Sequence, residues 1–287
     1  MQRIGEKAFK WIIKLLTFSS VLLLAFIVIF IFNESLVFFK EVPIWKFIGG
    51  RSWNPLGPPE NLSILSIIMG TIYVSIVGIC ISLPLGVGIA IILSSYTNDR
   101  IKRFIKGIID ILAGIPSVIY GFIGLLVVVK FFEIKFSFAA GESVLAGGIV
   151  LSVMLLPFII STCDETMDKI YEKYSQASQA LGVSKSYMIR NIILPASKRG
   201  IVASVVLALG RGMGETMATM MVIGNAPIMP KLFGKAQTIP SLIALEMGMA
   251  EVGSLHYHGL FAAGFVLMIM LLLVNVLIYF IKAKMDI

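Results

Sequence analysis

Long runs of apolar residues, separated by short polar stretches, dominate this 287-residue chain. A helix that crosses a bilayer needs about 20 mostly apolar residues. Six runs meet this length, and they predict spans near residues 11–32, 65–93, 107–129, 143–163, 200–224 and 258–281. Proline or charged residues interrupt the third and fifth runs. The pattern therefore predicts an all-α, polytopic membrane protein with six transmembrane helices.

The composition supports a membrane location for these runs. Hydrophobic residues make up 58% of the chain and charged residues only 14%, whereas about a quarter of the residues in a soluble domain are charged. The net charge of +8 does not indicate a nucleic-acid partner, because the basic residues flank spans instead of forming one patch. They are better explained by membrane topology and lipid headgroups.

Lysine and arginine residues are unevenly divided between the two predicted faces. Sixteen lie on the face that holds both termini and the loops before the third and fifth spans, seven lie on the opposite face, and Arg211 lies within a span. Basic residues are enriched in cytoplasmic loops, so we expect both termini to be cytoplasmic and the protein to be in the inner membrane. A signal peptide is the alternative for the first run, but the run exceeds the roughly 7 to 15 residues of a signal core. We expect it to be a retained span.

The sequence contains no signature of a catalytic or nucleotide-binding site. It has no glycine-rich loop that ends in Lys-Ser or Lys-Thr, no Ser/His/Asp set and no zinc-ligand spacing. Cys80 and Cys163 both fall within spans, which disfavours a disulfide framework, and His256 and His258 are more typical of an interface than of a metal site. We therefore expect a non-enzymatic chain without a bound cofactor or metal. Any ATP that drives it must be hydrolysed by another subunit.

Three loops are predicted on the external face, at residues 33–64, 130–142 and 225–257. The first carries Trp45, Trp53 and the turn-forming sequence "NPLGPP" at residues 54–59. Tryptophan is enriched at membrane interfaces. This loop is therefore expected to form a lip at the interface, with binding of a substrate or partner as the alternative.

The polar segment from Thr166 to Arg199 retains apolar residues at helical spacing. Gly182 is typical of a helix end and Ser184 of a new N-cap, and the second helix should end near Pro195. The pattern predicts two short amphipathic helices joined by a glycine turn on the cytoplasmic face. Such a pair could instead lie on the membrane or pack within the bundle.

The spacing within this segment resembles the "EAA" loop of ABC importer permeases. That loop has Glu-Ala-Ala, three residues, Gly, nine residues, Ile, one residue and Leu-Pro, and this chain has "QASQALGVSKSYMIRNIILP" at residues 176–195. The matching positions are Ala177, Gly182, Ile192, Leu194 and Pro195, whereas Gln176 replaces Glu and Ser178 replaces Ala. The resemblance implies that this segment, including Gln176, docks in a groove of a separate ATPase subunit.

Two further stretches narrow the resemblance. "RGMGETMATMMVIGN" at residues 211–225 and "GIPSVIYGFIGL" at residues 114–125 resemble the permease subunits of phosphate-specific (Pst) ABC importers, PstC type, over residues 65–282. The resemblance implies two units: residues 1–64, an N-terminal helix and external loop, and residues 65–287, a five-helix type I permease core with the coupling loop at 166–199. It also implies a sister permease (PstA type), two ATP-binding subunits (PstB type) that hold ATP and Mg, and a phosphate-binding protein (PstS type).

Arg211 and Glu215 are the charged residues of the fifth span. Four positions apart on a helix, they are expected to lie on one face and pair. Ionisable residues at membrane depth usually mark a substrate path, and small neighbours such as Thr216 leave space around them. We expect Arg211 to contact phosphate transiently, because its planar fork suits oxyanions, while Glu215 limits the affinity. A buried ion pair that joins two spans is the structural alternative.

Pro116 and Ser117 interrupt the third span. The half-helix that begins there could direct free N–H groups at an anion, as broken helices do in transporters, or the break could serve packing alone. Pro84 and Pro157 are interpreted as hinges or packing kinks.

The sequence thus predicts the permease half of an ATP-driven phosphate importer, most simply in a heterodimer. Two alternatives remain at this point. One is a permease for another oxyanion, molybdate or sulfate. The other is a stand-alone ion-coupled carrier or channel, which would leave the coupling loop unexplained.

Overall fold

Helices form most of the part of the chain described by the computed structural model, residues 2–57, 60–136 and 140–284. The helices are α1 (Gln2–Glu41), α2 (Ile44–Gly49), α3 (Leu65–Ser95), α4 (Asp99–Gly114), α5 (Ser117–Ile123), α6 (Lys130–Phe136), α7 (Val144–Ala180), α8 (Lys185–Met188), α9 (Leu194–Ala196), α10 (Lys198–Gly214), α11 (Met217–Val222), α12 (Ile239–Glu246) and α13 (Leu255–Lys284). π-helical turns at Gly124–Val129 and Ile189–Ile193 join α5 to α6 and α8 to α9. Strands β1 (Trp53–Asn54) and β2 (Asn61–Leu62) form an antiparallel hairpin in which Trp53 pairs with Leu62.

Five of the described stretches are long and apolar enough to span a bilayer, namely α1, α3, α5 with α6, α7 and α13. A sixth is obtained if Lys185–Ala196 and Lys198–Gly214, which meet at 59°, are counted as one broken span. The predicted all-α, polytopic membrane architecture is confirmed.

The predicted start of the third span at residue 107 is wrong. Residues 99–114 form the separate amphipathic helix α4, and the apolar stretch begins at Ser117 and continues to Phe136. The break lies at Ile115, which is extended (ψ 128°) because the following proline disfavours helical geometry in the residue before it. The predicted external loop at 130–142 is consequently helical as far as Phe136, and residues 137–139 lie outside the described residues.

The fourth span also differs from its predicted limits. It continues without a break from Val144 to Ala180, so the first predicted amphipathic helix of the polar segment is the end of α7 and not a separate element. Pro157 is accommodated inside this helix and Pro84 inside α3. The end of α7 therefore leads into the loop at residues 181–197, and we call this end of the bundle the loop face.

Helices α3 and α7 run parallel and form the centre of the bundle. A Cβ atom added at Gly78 would lie 3.1 Å from the Leu151 side chain, and one added at Gly86 would lie 2.6 Å from Ile159 Cγ2. Small residues allow helices to approach closely in membranes, where packing replaces the hydrophobic effect as the driving force. Leu151 and Ile159 are fully buried at this contact. Elsewhere in the bundle Cys80 and Cys163 are both free, as predicted.

Substitution of Gly86 by valine should destabilise the bundle. The new side chain would overlap Ile159, and overpacking of this kind costs about 1 to 3 kcal/mol. Gly88→Val is the matched control, because a Cβ atom two residues further along α3 meets nothing within 4 Å. Thermal unfolding in detergent should show a lower transition temperature for Gly86→Val alone. Equal transitions for the two variants would contradict this packing.

The β-hairpin covers the opposite end of the bundle, which we call the hairpin face. Trp53 is buried there and its Nε1 donates to Glu246 Oε2 at 2.8 Å, whereas Trp45 is exposed as expected for an interfacial anchor. His256 Nε2 lies 2.8 Å from the same Glu246 oxygen, and His258 Nδ1 lies 2.7 Å from Glu34. The predicted lip is thus a packed structure that fastens α1 and α12 to α13. Pro58 and Pro59 of its predicted turn lie outside the described residues.

Candidate substrate pathway and coupling loop

The fifth span is broken in its outer half. Helix α10 ends at Gly214, Glu215 is extended (φ −71°, ψ 124°), and α11 begins at Met217. The buried Glu215 carboxylate accepts the Ala218 N–H at 3.2 Å, and Thr219 Oγ1 donates to the Glu215 carbonyl oxygen at 2.8 Å. Since a carboxylate at a helix start satisfies free N–H groups, Glu215 caps the second half of the span.

The predicted pairing of Arg211 with Glu215 is wrong. The four-residue spacing places two side chains on one face only if the helix continues between them, and here the helix ends at Gly214. No salt bridge joins the two residues in the described part of the chain. Thr216 lies within the break, half-buried, and its Oγ1 donates to the Gly214 carbonyl oxygen at 3.3 Å.

Arg211 is instead held over an aromatic ring. Its Cζ atom lies 4.3 Å from the centroid of the Phe158 ring on α7, a cation–π contact, and the side chain is exposed. Arg211 lies about 20 Å along α10 from Lys198 at 1.5 Å per residue, which is well inside the thickness of a bilayer. A charged group at that depth does not face lipid tails. Its exposed side must therefore face water or a partner subunit.

The break between α4 and α5 lies beside this position. Helix α5 packs parallel to α11, because Cβ atoms added at Gly121 and Gly124 would lie 3.0 Å from Ala218 Cα and 3.0 Å from Val222 Cγ1. The same register places Ser117, at the start of α5, level with Gly214, at the end of α10. The two predicted pathway segments, around Ser117 and around Gly214, are far apart in sequence but therefore lie at the same depth in the bundle.

The surface around these breaks is open. Cβ atoms added at Gly114, Gly210 and Gly214 would meet nothing within 4 Å. Pro116 is exposed and Ser117 is half-buried at the same level. The result is a surface of small residues that carries one planar cation, an arrangement able to contact an oxyanion through paired N–H donors without enclosing it.

The helix end at Gly182 and the N-cap at Ser184, both predicted from the sequence, are present. Helix α7 ends at Ala180, Gly182 has the left-handed φ of +67° that favours glycine, and the Ser184 side chain accepts the Tyr187 N–H at 3.4 Å as an N-cap. A second helical stretch, Lys185–Ala196, follows as predicted but contains a π-helical turn.

The other predicted coupling residues are divided between two sides of this loop. Gln176, Ala177, Gly182 and Pro195 are exposed, whereas Ile192 and Leu194 are half-buried. Leu181, at the tip, is 80% exposed. The buried Met188 and Ile193 attach the loop to the bundle core. The loop therefore projects an apolar tip while its base is anchored in the core.

Sequence reasoning missed several partners of charged groups. Phe158 beneath Arg211 and Glu246 between Trp53 and His256 are tertiary contacts without a local sequence signal. The two lysines of α4 that contact Asp164, which is buried on α7, are tertiary contacts of the same kind. Among the described residues, no cluster of three or more His, Cys, Asp or Glu could hold a metal ion.

This architecture defines the class of protein as a multi-pass membrane permease. Apolar spans carry an open surface around Arg211, and a loop with an exposed apolar tip lies at one end of the bundle. The chain belongs to the family described as binding-protein-dependent transport system inner membrane component, whose model matches residues 82–286.

Relatives named PstC confirm the resemblance inferred from the sequence. The phosphate transport system permease protein PstC of Mesorhizobium japonicum is 34% identical over 84% of this chain and 79% of its own length. The probable PstC of Methanocaldococcus jannaschii is 31% identical over 89% of each chain. The probable ABC transporter permease YqgH of Bacillus subtilis is 36% identical over 83% of this chain and 78% of its own.

A solved structure supports the fold independently. The inward-facing MetNI methionine ABC transporter contains a chain that matches with a TM-score of 0.57 at 19% identity, covering 77% of this chain and 93% of that one. The fold is therefore that of a type I ABC importer permease. Permeases of this family act with separate ATPase and binding-protein partners and are themselves membrane components of a transport system.

Proposed function

We propose that this chain is the transmembrane permease subunit of an ATP-driven phosphate importer and forms half of its translocation pathway. The observation that carries the proposal is Arg211, a cation exposed at membrane depth beside two helix breaks. An arginine fork matches the oxygens of a tetrahedral oxyanion. The relatives named PstC support phosphate as that anion.

The other half of the pathway belongs to a sister permease of PstA type in this proposal. One arginine on an open surface cannot surround an anion, and the exposed small residues beside it leave room for a second subunit. Weak, incomplete binding also suits conduction, which requires that the ligand leave again.

Coupling to ATP is assigned to the loop at residues 181–197. One of two PstB-type subunits would receive its apolar tip in a groove, a mode in which short helices commonly bind, and the two subunits would hold the ATP and Mg. In this proposal the loop face and both termini are cytoplasmic, in agreement with the excess of lysine and arginine on that face. A PstS-type protein would deliver phosphate to the hairpin face, and this chain would perform no covalent chemistry.

ATP-driven uptake by reconstituted proteoliposomes tests this proposal. Vesicles that contain this chain, its sister permease, the ATPase and the binding protein should accumulate radiolabelled phosphate only with ATP. A tenfold excess of unlabelled phosphate should suppress the label, whereas equal sulfate or molybdate should not. Competition by sulfate or molybdate would indicate another oxyanion, and uptake without ATP would indicate a stand-alone carrier.

A further inference from the structure

Asp164 is a buried carboxylate that the proposed pathway does not use. It lies on α7 with its side chain only 1% exposed, and Lys106 Nζ approaches one carboxylate oxygen to 2.6 Å. Lys102 Nζ lies 3.6 Å from the other oxygen and also contacts Asp168, one turn further along α7. Two lysines of α4 thus hold two acids of α7.

Lys106 contributes a positive charge to this contact. Burial lowers the pKa of Lys106, but its hydrogen bond to Asp164 and the negative charges of Asp164, Asp168 and Asp110 raise it more, so that the pKa lies above its ordinary value of 10.5. Lys106 is therefore charged at neutral pH. Asp164 is the buried member of this contact and Lys106 is 43% exposed; removal of the lysines would leave the buried carboxylate without a charged partner, which is unfavourable, so the contact holds α4 to α7.

Helix α7 connects this contact to the loop at residues 181–197. From Asp164 the helix α7 continues without interruption to Ala180, about 24 Å at 1.5 Å per residue. The first residue of α8, Lys185, lies over the rings of Tyr171 on α7 and Tyr96 at the end of α3, at 5.6 and 4.8 Å. The loop is thus connected to the α7 segment that carries Asp164 by a continuous helix and by the contacts of Lys185.

Helix α4 connects the same contact to the break before α5. Helix α4 runs from Lys102 and Lys106 to Gly114, directly before the break at Pro116. Tyr120 Oη donates to the Leu112 carbonyl oxygen at 2.8 Å and ties α5 to the end of α4. Since α5 packs on α11 beside Arg211, movement of α4 displaces the start of α5 at the open surface.

We infer that Asp164 is a positioning residue that, through Lys102 and Lys106, makes α4 move together with α7 and so links the coupling loop to the pathway breaks. The inference rests on the proposed function for the role of the loop. It does not depend on which anion is carried. Coupling between two sites requires a shared element whose position both sites bias, and the joined α4 and α7 are that element in this inference.

Asp164→Asn tests the link with little change in shape. In reconstituted complexes, the amount of substrate imported per ATP hydrolysed should fall about tenfold, within the range of typical coupling between sites. Asp164→Glu should restore most of this ratio, because the charge returns. Glu165→Gln is the matched control: it removes an exposed ion pair with Lys169, 2.8 Å long, from the adjacent position of the same helix, and should leave the ratio native.

A distance measurement separates this link from general stability and from the identity of the substrate. Spin labels at the exposed positions Phe104 on α4 and Lys173 on α7, in a Cys80→Ala background, should report one distance with and without ATP. Asp164→Asn should broaden that distance. The inference would be overturned if Asp164→Asn kept both the native ratio of substrate imported per ATP hydrolysed and an unchanged distance. It would also be overturned if Asp164→Glu formed an assembled complex but did not restore the ratio. If the native complex imported no phosphate but still showed one distance with and without ATP, only the proposal of phosphate transport would be rejected, and the link between α4 and α7 would stand.

Discussion

Replacement of Arg211 by alanine should lower the rate of ATP-driven phosphate uptake by about 10- to 150-fold, because a hydrogen bond to a charged group contributes about 1.5 to 3 kcal/mol. The guanidinium is the charged group on the open surface beside both helix breaks. Arg211→Lys keeps the charge but loses the planar fork, so its rate should lie between those of the native protein and the alanine variant. Initial uptake rates and ATP hydrolysis in the same proteoliposomes provide the measurement.

Two controls define the role of this arginine. Lys198→Ala removes an exposed cation from the start of the same helix and should leave uptake near the native rate. Phe158→Leu removes the ring beneath the guanidinium, and a cation–π contact of about 0.5 to 1 kcal/mol corresponds to roughly a two- to fivefold loss. Unchanged uptake in Arg211→Ala, with the complex assembled, would reduce the arginine to a packing role.

The spans and the coupling loop were predictable because their signals are local. Apolar runs of about 20 residues indicate a membrane helix, and a glycine followed two residues later by a serine is typical of the end of one helix and the start of the next. The structure places Gly182 at φ +67° and Ser184 at the N-cap accordingly. Neither feature depends on the rest of the chain.

The geometry of the site could not be predicted from the sequence to the same degree, because it depends on where the helices end. Arg211 and Glu215 have the spacing of a pair, yet the helix ends between them, and the glutamate satisfies the N–H groups of α11 instead. The partner of the arginine, Phe158, is more than 50 positions earlier in the chain. Such contacts depend on how α10 packs on α7, and no spacing or periodicity in the sequence indicates them.

Helix α4 is a second case in which the sequence pattern alone was misleading. Its apolar residues made the run from residue 107 resemble a membrane span, but Lys102 and Lys106 face acids on α7 and Pro116 prevents the helix from continuing. Asp164, just past the predicted limit of the fourth span, has no partner within its own helix and meets its lysines only because α4 packs beside it. The charged residues of this region were informative, but only together with their partners.

Gly182→Val should weaken binding of the ATPase subunit by about 5- to 150-fold, because a branched residue at left-handed φ costs about 1 to 3 kcal/mol and the loop would relax away from its docking shape. Space is not the reason, since a Cβ atom at Gly182 meets nothing within 4 Å. Gly182→Asn should retain most of the affinity, because asparagine tolerates this conformation. Titration of the detergent-solubilised permease pair with the ATPase subunit gives the affinities.

Gly107→Val is the matched control for this backbone effect. Gly107 lies within α4, where φ is helical, and a Cβ atom there also meets nothing within 4 Å. The valine at residue 107 should therefore leave ATPase affinity native, although the same side chain is added. If Gly182→Val and Gly182→Asn both bound like the native protein, the turn at residue 182 would not set the docking geometry. If all three variants weakened binding equally, the cause would be general destabilisation of the loop face, and the projecting apolar tip at Leu181 would lose its assigned role.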